Sequence, residues 1–586
     1  MKSTNITFLF SVPLICSFLS LSQCSSFHKK EQNTQKPNII VIMSDDMGFS
    51  DLGCYGGEIK TPNLDKLAEN GMRFTQFYNT SRCCPTRASL LTGLYSHQAG
   101  MGWMTGLESD IKAYQGDLTD DCVTLAEVAK SAGYSTYMTG KWHVSRNIRE
   151  DGPKYNWPLK RGFQRYYGTI QGAGSYWDPA SLCRGNNLIS PFTDSLYKTE
   201  KYFYTDAISN ESVRFIKERN KEAPFFMYIA FTAAHWPLHA KPEDIEKYKG
   251  VYDNGWESVR EQRFNRLKKL GIISPEAELS PLDVHPWEEE ENKQVESGRM
   301  EIYAAQIDEL DQGIGRIVET LKEQGIFDNT VIFFLQDNGG CAEEIGTMVE
   351  TSPQADNPET AKPLGMDEIQ YRMFPLMTRC GKLVMKGEGI KGGPDSTYVS
   401  YGKVWANASN TPFREYKHWV HEGGISTPLI IHYPEGIKNK NSYCSFPGHV
   451  IDIMPTVVEL TGADYPTTYN NHSILPMEGI SLVPLFQGQS IEREGPIFWE
   501  HEANRAIRSG NWKLVSKGEL LNGDYGIWKN YRLGPWELYN MKNDRSEMHD
   551  LAARYPEKVN ELSTIWEEYA QRIHVYPAPW EPTDED

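Results

Sequence analysis

Residues 38–46 read NIIVIMSDD, an unbroken apolar run that ends in the adjacent carboxylates Asp45 and Asp46. Further segments share this design, an apolar run followed by polar and chemically useful side chains: 134–143, 224–235 and 330–338. Short apolar runs of this kind are typical of strands buried on both faces of a parallel sheet. The sequence therefore predicts a set of such strands, each of which ends in functional groups.

Helical patterns lie between these runs. Residues 123–132 and 302–324 carry apolar side chains at helical spacing. This alternation predicts an α/β fold with a large mixed, mostly parallel sheet flanked by helices. Because ligands bind beyond the carboxyl ends of the strands in such sheets, the polar strand ends predict one shared site. The alternative, that each end is only an ordinary polar loop, fits several complementary ends less well.

Residues 83–93, CCPTRASLLTG, place a thiol just ahead of a helix-like apolar run. The free N–H groups and the dipole at a helix N-terminus favour an anion. Arg87 follows Cys83 by one turn and can return its fork of donors to the same place. The segment therefore combines a potential nucleophile with an anion-binding side chain. The alternative is that Cys83 and Cys84 are inert buried thiols or disulfide partners.

The same segment resembles the sulfatase signature Cys-x-Pro-x-Arg followed by Thr-Gly, and residues 139–143, TGKWH, resemble a second signature of that family. The resemblance covers nearly the whole chain after Pro37. It implies a formylglycine-dependent sulfatase of the alkaline phosphatase superfamily, similar to the bacterial arylsulfatases. In that family a maturase oxidises the motif cysteine to formylglycine, and the spacing to Arg87 identifies Cys83, not Cys84, as that residue.

Oxygen donors stand at two of the predicted strand ends: Asp45, Asp46, Asp337 and Asn338. All-oxygen ligation suits a hard cation such as Ca²⁺ or Mg²⁺ better than zinc. By resemblance to sulfatases, these side chains hold one divalent ion, and an oxygen of the modified Cys83 completes its coordination shell. Calcium is the expected ion and magnesium the alternative.

The resemblance implies a set of catalytic residues: Cys83 as formylglycine, Arg87, Lys141, His143, His235, Asp337 and Lys417. Arg87, Lys141 and Lys417 would bind the sulfate group. Asp337 would accept a proton from the attacking hydroxyl. His235 would bind the substrate and protonate the departing alcohol with help from Lys417, since a histidine titrates near neutral pH. His143 would deprotonate the second hydroxyl, so that sulfate leaves by elimination. His239 and Lys403 are weaker candidates.

Composition limits the kind of partner. The 586 residues carry a formal net charge of −18, which argues against a nucleic-acid-binding protein with its basic face. Small sulfated substrates remain compatible, because a local cluster of cations can override the net charge. The ten cysteines show no metal-ligand spacing, so zinc is not expected, and no disulfide pairing can be assigned.

The N-terminus predicts export. Residues 1–23 carry an apolar core of signal-peptide length. The sequence LSQC that ends at Cys24 is close to a bacterial lipoprotein box, and the polar residues 24–36 are typical of a flexible tether. We expect a bacterial protein that is periplasmic or anchored to the outer membrane by a lipid on Cys24. Ordinary cleavage without a lipid is the alternative.

Two domains are predicted after the tether. Residues 37–463 would form the catalytic domain, and residues 464–586 a small subdomain with an antiparallel sheet and a helix at 556–572. The acidic stretch 240–300 shows little periodicity and predicts a long irregular insertion, and residues 341–400 predict a second loop-rich excursion.

The substrate cannot be read from the chain. Sulfated carbohydrates and aryl sulfates both fit, and Trp103, Tyr176 and Trp177 could stack on a sugar or simply pack in the core. Two other functions remain open at this point. One is hydrolysis of phosphonates or phosphodiesters on the same scaffold, and the other is non-catalytic binding of sulfated glycans with an unmodified cysteine.

Overall fold

The computed structural model describes residues 36–106, 109–199, 201–520 and 531–579. The predicted signal peptide, Cys24 and all but the last residue of the tether lie outside the described residues. Among the described helices, none is both long and apolar enough to cross a bilayer.

The strands follow in chain order: β1 Asn38–Ser44, β2 Met72–Tyr78, β3 Ser135–Gly140, β4 Arg165–Thr169, β5 Leu182–Arg184, β6 Asn187–Leu188, β7 Phe225–Ala230, β8 Thr330–Gln336, β9 Ser352–Pro353, β10 Met385–Lys386, β11 Ser426–His432, β12 Ser442–Cys444, β13 Gly448–His449, β14 Thr468–Tyr469, β15 His472–Ser473, β16 Ile497–His501, β17 Asn504–Ser509, β18 Trp512–Ser516, β19 Glu519–Leu520, β20 Tyr531–Arg532 and β21 Trp536–Asn540. The strands predicted at 38–44, 134–139, 224–231 and 330–335 are confirmed as β1, β3, β7 and β8.

The α-helices are α1 Pro62–Glu69, α2 Cys83–Thr92, α3 Leu125–Ser131, α4 Tyr204–Lys217, α5 Pro242–Ile245, α6 Gly255–Leu270, α7 Lys293–Glu323, α8 Gly402–Ser409, α9 Glu422–Ile425, α10 Ile453–Thr461, α11 Val483–Phe486 and α12 Pro556–Arg572. The helices predicted at 123–132 and 556–572 are confirmed as α3 and α12. The helix predicted at 302–324 is α7, and it begins nine residues earlier, at Lys293.

The main sheet has the order β12-β2-β11-β8-β1-β7-β3-β4-β5-β6 within the described residues, with β13 beside β2. The central strands β8, β1, β7, β3 and β4 are all parallel, whereas β11 runs antiparallel between β8 and β2. This confirms the mixed, mostly parallel sheet. The order of the central strands places the carboxyl ends of β8, β1, β7 and β3 next to one another.

Both faces of this sheet are buried, which explains the unbroken apolar runs. In β1, Ile40 and Ile42 pack into the core under α1, α4, α6 and α7. Ile39, Val41 and Met43 point the other way, into the core under α2, α3 and α10. Alternate side chains of a strand point to opposite faces, so a strand between two helical layers needs apolar residues at every position.

The expectation of an irregular insertion at 240–300 is wrong. This stretch contains α5, the sixteen-residue α6 and the start of α7. The buried face of α6 is Trp256, Val259, Arg263 and Leu267, which follows helical spacing. The sequence did not reveal this helical pattern because arginine counts as a polar residue. Arg263 is nevertheless buried, and its guanidinium is ion-paired with Asp51 at 2.6 Å.

The C-terminal region forms a separate antiparallel sheet, β16-β17-β18-β21, covered by α12. Leu562, Trp566 and Tyr569 of α12 pack on Phe498 and Leu514 of that sheet. This confirms the predicted combination of small sheet and helix. The boundary between residues 463 and 464 stays a prediction, because the described residues from Lys36 onward form one compact unit.

Candidate active site

The nucleophile candidate lies at the N-terminus of α2. Cys83 is the first residue of the helix, and its predecessor Arg82 caps it in an extended conformation. The Cys83 thiol is buried, and ligand atoms of Asp45, Asp46, Cys83 and His235 all lie within 4.8 Å of one another. The structure therefore brings the cysteine, the acidic pair after β1 and the histidine after β7 to one place.

Cys84 points elsewhere. Its Sγ lies 3.2 Å from Nε2 of His143. Burial raises the pKa of the Cys84 thiol to about 12, so this sulfur stays protonated near neutral pH. Of the two adjacent cysteines, only Cys83 joins the cluster of carboxylates.

Arg87 lies one turn further along α2 and is completely buried. Its Nε and Nη2 donate to Oδ2 of Asp337 at 3.1 and 2.7 Å, and Nη2 lies 3.4 Å from Oδ2 of Asp45. Asp337 directly follows β8, next to β1. The arginine thus connects the helix that carries Cys83 to two neighbouring strand ends.

The donor set fits a hard cation. Oδ1 of Asp45 and Oδ1 of Asn338 are buried without a hydrogen-bond partner, and both lie at the ends of adjacent strands. Oδ1 of Asp46 accepts from Nδ2 of Asn338 at 2.7 Å, and the backbone N–H of Asp46 faces Oδ1 of Asp337 at 3.4 Å. Buried oxygens without partners are costly, and a Ca²⁺ or Mg²⁺ ion satisfies such oxygens.

The pKa values of Asp45 and Asp46 also favour a bound cation. Burial and the charge of Asp337 raise the pKa of Asp45 well above its ordinary value. Burial alone would also raise the pKa of Asp46, but His235 and Lys417 hold it at about 2. Asp46 is therefore ionised, whereas Asp45 is crowded by a neighbouring negative charge that a bound cation would offset.

Two lysines stand on opposite sides of the acidic pair. Nζ of Lys141, after β3, lies 2.5 Å from Oδ2 of Asp45. Nζ of Lys417 lies 2.9 Å from Oδ2 of Asp46. Both lysines are buried, and together with Arg87 they form a ring of positive groups around Cys83. Such a ring can bind the oxygens of a sulfate group.

His235 links this ring to the strand β7 that precedes it. Its Nδ1 lies 2.7 Å from the backbone oxygen of Trp236, and its Nε2 lies 3.3 Å from Nζ of Lys417. The short contact to a carbonyl oxygen places the proton on Nδ1 and leaves Nε2 facing the lysine. Burial lowers the pKa of His235 to about 3, so its imidazole is neutral in the free protein.

His143 is held by close packing. A Cβ at Gly172 would lie 2.1 Å from Cε1 of the His143 ring, so only glycine fits opposite it. Burial and the charges of Lys141 and Arg87 lower the pKa of His143 well below its ordinary value, which leaves a neutral base. Its described side-chain contact is with Cys84 and not with Cys83.

The structure also adds residues that the sequence did not indicate. Glu343 accepts from Arg82 at 2.7 Å and from Nε1 of Trp236 at 2.8 Å, and its Oε2 lies 3.8 Å from Nζ of Lys417. Glu343 lies in the loop-rich stretch after β8, where no periodicity or motif marks a single glutamate. Its role became visible only through its contacts.

The weaker candidates lie outside the cluster. Lys403 pairs with Asp283 at 3.0 Å, and His239 holds Thr397 through its Nε2. Tyr176 is buried and donates to the backbone oxygens of Thr232 and His235, so it packs in the core and supports the His235 loop.

A further group of buried titratable residues lies beside the site: His418, His501 and Glu502, with ligand atoms within 4.8 Å of one another. Nδ1 of His418 lies only 2.5 Å from Oε2 of Glu502. Two ligands of one tetrahedral zinc, at bonds of about 2.0 Å, lie roughly 3.3 Å apart. The short contact is therefore a hydrogen bond, and the histidine holds the glutamate in place.

Comparison with known proteins decides what this site belongs to. The family model described as Sulfatase matches residues 37–463, and the model described as N-sulphoglucosamine sulphohydrolase, C-terminal, matches residues 414–572. The chain belongs to the sulfatase family. It is accordingly an enzyme that hydrolyses sulfate esters of glycans or aryl sulfates, and sulfatases generally use a formylglycine and a divalent metal ion.

This sulfatase is similar to proteins of named organisms and to solved structures. An uncharacterized sulfatase of Schizosaccharomyces pombe is 33% identical over 94% of this chain and 96% of its own length. The arylsulfatase of Klebsiella aerogenes is 35% identical over 79% of this chain and 94% of its own length. A solved protein in complex with its substrate, D-glucosamine-2-N,6-O-disulfate, shares the fold with a TM-score of 0.57 at 20% identity, over 94% of this chain and 100% of its own.

Proposed function

We propose that this sulfatase acts through a formylglycine made from Cys83 and a calcium ion held by Asp45, Asp46, Asp337 and Asn338. The observation that carries the proposal is the cluster of Cys83 with the acidic pair, enclosed by buried cations. Magnesium is the alternative ion. The choice of calcium rests on the several oxygen donors of the protein, since Mg²⁺ usually keeps most of its waters.

The modified residue 83 and the cation supply a hydroxyl nucleophile and polarisation of the sulfate oxygens. The chain supplies the rest. Arg87, Lys141 and Lys417 bind the sulfuryl oxygens and neutralise the charge that develops on them, which is the largest single contribution in many enzymes. Their burial strengthens this effect, because water does not screen them.

Proton transfers fall to four residues. Asp337 accepts the proton of the attacking hydroxyl. Nε2 of neutral His235, 3.3 Å from Nζ of Lys417, receives a proton from that lysine and gives it to the departing alcohol. His143, neutral and next to the helix start, accepts a proton as sulfate is released. A second hydroxyl on the same carbon makes that release possible, and a plain cysteine or serine has none.

The biological setting is part of the proposal. A maturase must oxidise Cys83 during synthesis. Residues 1–24 support an exported bacterial protein, periplasmic or tethered to the outer membrane by a lipid on Cys24. A sulfated glycan is the proposed natural substrate, supported by the fold shared with the protein solved with a sulfated glucosamine.

Peptide mass spectrometry across Arg82 to Arg87 tests the proposal on protein from its native source. We expect an aldehyde at residue 83. An unmodified thiol in protein that turns over 4-nitrophenyl sulfate would refute the nucleophile. Faster turnover of an aryl phosphodiester than of the aryl sulfate would instead favour a phosphodiester hydrolase.

A further inference from the structure

The opening of the site next to Cys83, here called the rim, differs from the interior in the exposure of its side chains. Three residues stand next to reacting groups in the chain: Arg82 precedes Cys83, Trp236 follows His235, and His418, which is buried, follows Lys417. Arg82 and Trp236 are both partly exposed, whereas Arg87, Lys141 and Lys417 are buried. The positive interior suits sulfate, so the rim faces the alcohol part of the ester.

Two carboxylates organise this rim. Glu343 accepts from Nη1 of Arg82 and from Nε1 of Trp236, and its side chain is 30% exposed. Glu502, in the turn between β16 and β17, accepts from Nε1 of Trp103 and from His418. The backbone N–H of His418 donates to the backbone oxygen of Ser81 at 2.8 Å, so the His418–Glu502 pair lies beside the residue that precedes Arg82.

We propose that Trp103, Glu502, Arg82, Glu343 and Trp236 form the subsite for the sugar that carries the sulfate ester. This inference rests on the proposed function and deepens it. A sugar ring offers hydroxyls that both donate and accept, together with an apolar face. Carboxylates accept from hydroxyls, a guanidinium donates to them, and the partly exposed indole of Trp103 presents flat apolar surface, whereas the ring of Trp236 stacks on Phe374.

The arrangement fits a sugar better than an aromatic alcohol. A plain aryl group makes no hydrogen bonds, and it would leave the charged groups of Glu343 and Arg82 desolvated without compensation. The indole N–H of each tryptophan is already held by one glutamate, so both rings are fixed before substrate arrives. Fixed side chains lose little entropy on binding.

The test compares two substrate types with matched variants. The kcat/KM of wild type, Glu343→Gln and Trp103→Ala is measured on 4-nitrophenyl sulfate and on N-acetylglucosamine 6-sulfate, galactose 6-sulfate and glucosamine 6-sulfate. Controls are Glu218→Gln, a surface glutamate paired with Arg165, and Trp512→Ala, a half-buried tryptophan of the C-terminal sheet.

We expect wild type to hydrolyse at least one of the sugars. Each rim variant should lower kcat/KM on that sugar by at least about 10-fold more than on the aryl sulfate, since a hydrogen bond to a charged group contributes on that order. The controls should change both substrates alike. Equal losses on sugar and aryl sulfate, no loss at all, or a wild type that accepts only the aryl sulfate would overturn the subsite.

Failure of the proposed function would give a different result from failure of the subsite. Protein that contains formylglycine but hydrolyses neither substrate type would contradict sulfatase chemistry, not the subsite. Saturation-transfer NMR with the same sugars on Cys83→Ala protein then decides, because it needs no turnover. Sugar signals that persist after Trp103→Ala is added, or that never appear, would refute the subsite, whereas their loss on that substitution would support it.

Discussion

Replacing Asp46 with asparagine tests the metal site and does not depend on maturation of Cys83. Asp46 has φ of 58°, in the left-handed region that asparagine adopts readily, so the change removes a charge and leaves the backbone alone. The pKa of Asp46 is about 2, against an ordinary 3.8. That difference corresponds to about 2.5 kcal/mol in favour of the ionised form.

The lowered pKa of Asp46 determines the pH range in which its ionised form stabilises the folded protein. The folded-state pKa lies below the unfolded one, so the contribution is complete above the ordinary pKa and is lost as the pH falls toward 2. At pH 7 and with chelator present, Asp46→Asn should lower the free energy of unfolding by roughly 2 kcal/mol. Calcium at about 100 times its dissociation constant should add about 2.7 kcal/mol to wild type. The variant should gain much less.

Thermal unfolding in chelator and in calcium measures both effects, with Glu218→Gln as a control of equal charge change. An equal calcium-induced rise in the midpoint of wild type and Asp46→Asn would refute Asp46 as a ligand. A higher midpoint for the variant in chelator would show that repulsion among Asp45, Asp46 and Asp337 outweighs the pairing with Lys417.

Three further predictions concern single side chains. Arg87→Lys keeps the charge but loses the two guanidinium hydrogen bonds to Asp337, so kcat should fall about 10²- to 10³-fold. Circular dichroism should show that the variant is folded, and a fall in kcat of less than about tenfold would contradict the role of Arg87. Cys83→Ala should abolish hydrolysis of 4-nitrophenyl sulfate, whereas Cys84→Ser should retain at least about a tenth of the activity. Retained activity in Cys83→Ala and lost activity in Cys84→Ser would instead identify Cys84 as the nucleophile precursor. Lys513→Met removes the buried cation that pairs with both Glu422 and Glu547 and should cost about 3–5 kcal/mol in urea unfolding, although Glu422 keeps Arg545. Lys517→Met, at a more exposed ion pair, should cost less than about 1 kcal/mol, and similar losses for the two variants would refute this difference.

The sequence predicted the central strands well because burial on both faces of the sheet leaves an unmistakable signal. Residues 39–43 and 331–335 are apolar at every position, so nothing interrupts the pattern. Helix α6 was missed for the opposite reason. Its buried face includes Arg263, whose partners Asp51 and Glu58 lie more than 200 residues away in the chain. No local pattern reports such an ion pair.

Some residues of the candidate site could be predicted from the sequence, and others could not. Cys83, Arg87, Lys141 and His143 stand in short motifs, because each pair sits on one helix turn or one strand end. Glu343 and Glu502 belong to no motif, and their hydrogen bonds run to residues far along the chain.

By itself the sequence determined the layered α/β architecture, the likeness to sulfatases and the chemical groups at each strand end, because periodicity and motifs are local properties. Only the tertiary structure decided that Cys84 contacts His143, that Arg82 and Trp236 share Glu343, and that Glu502 accepts from Trp103. Those facts depend on how α2 and the turn after β16 dock against the sheet, and docking is set by packing between segments that are distant in the chain.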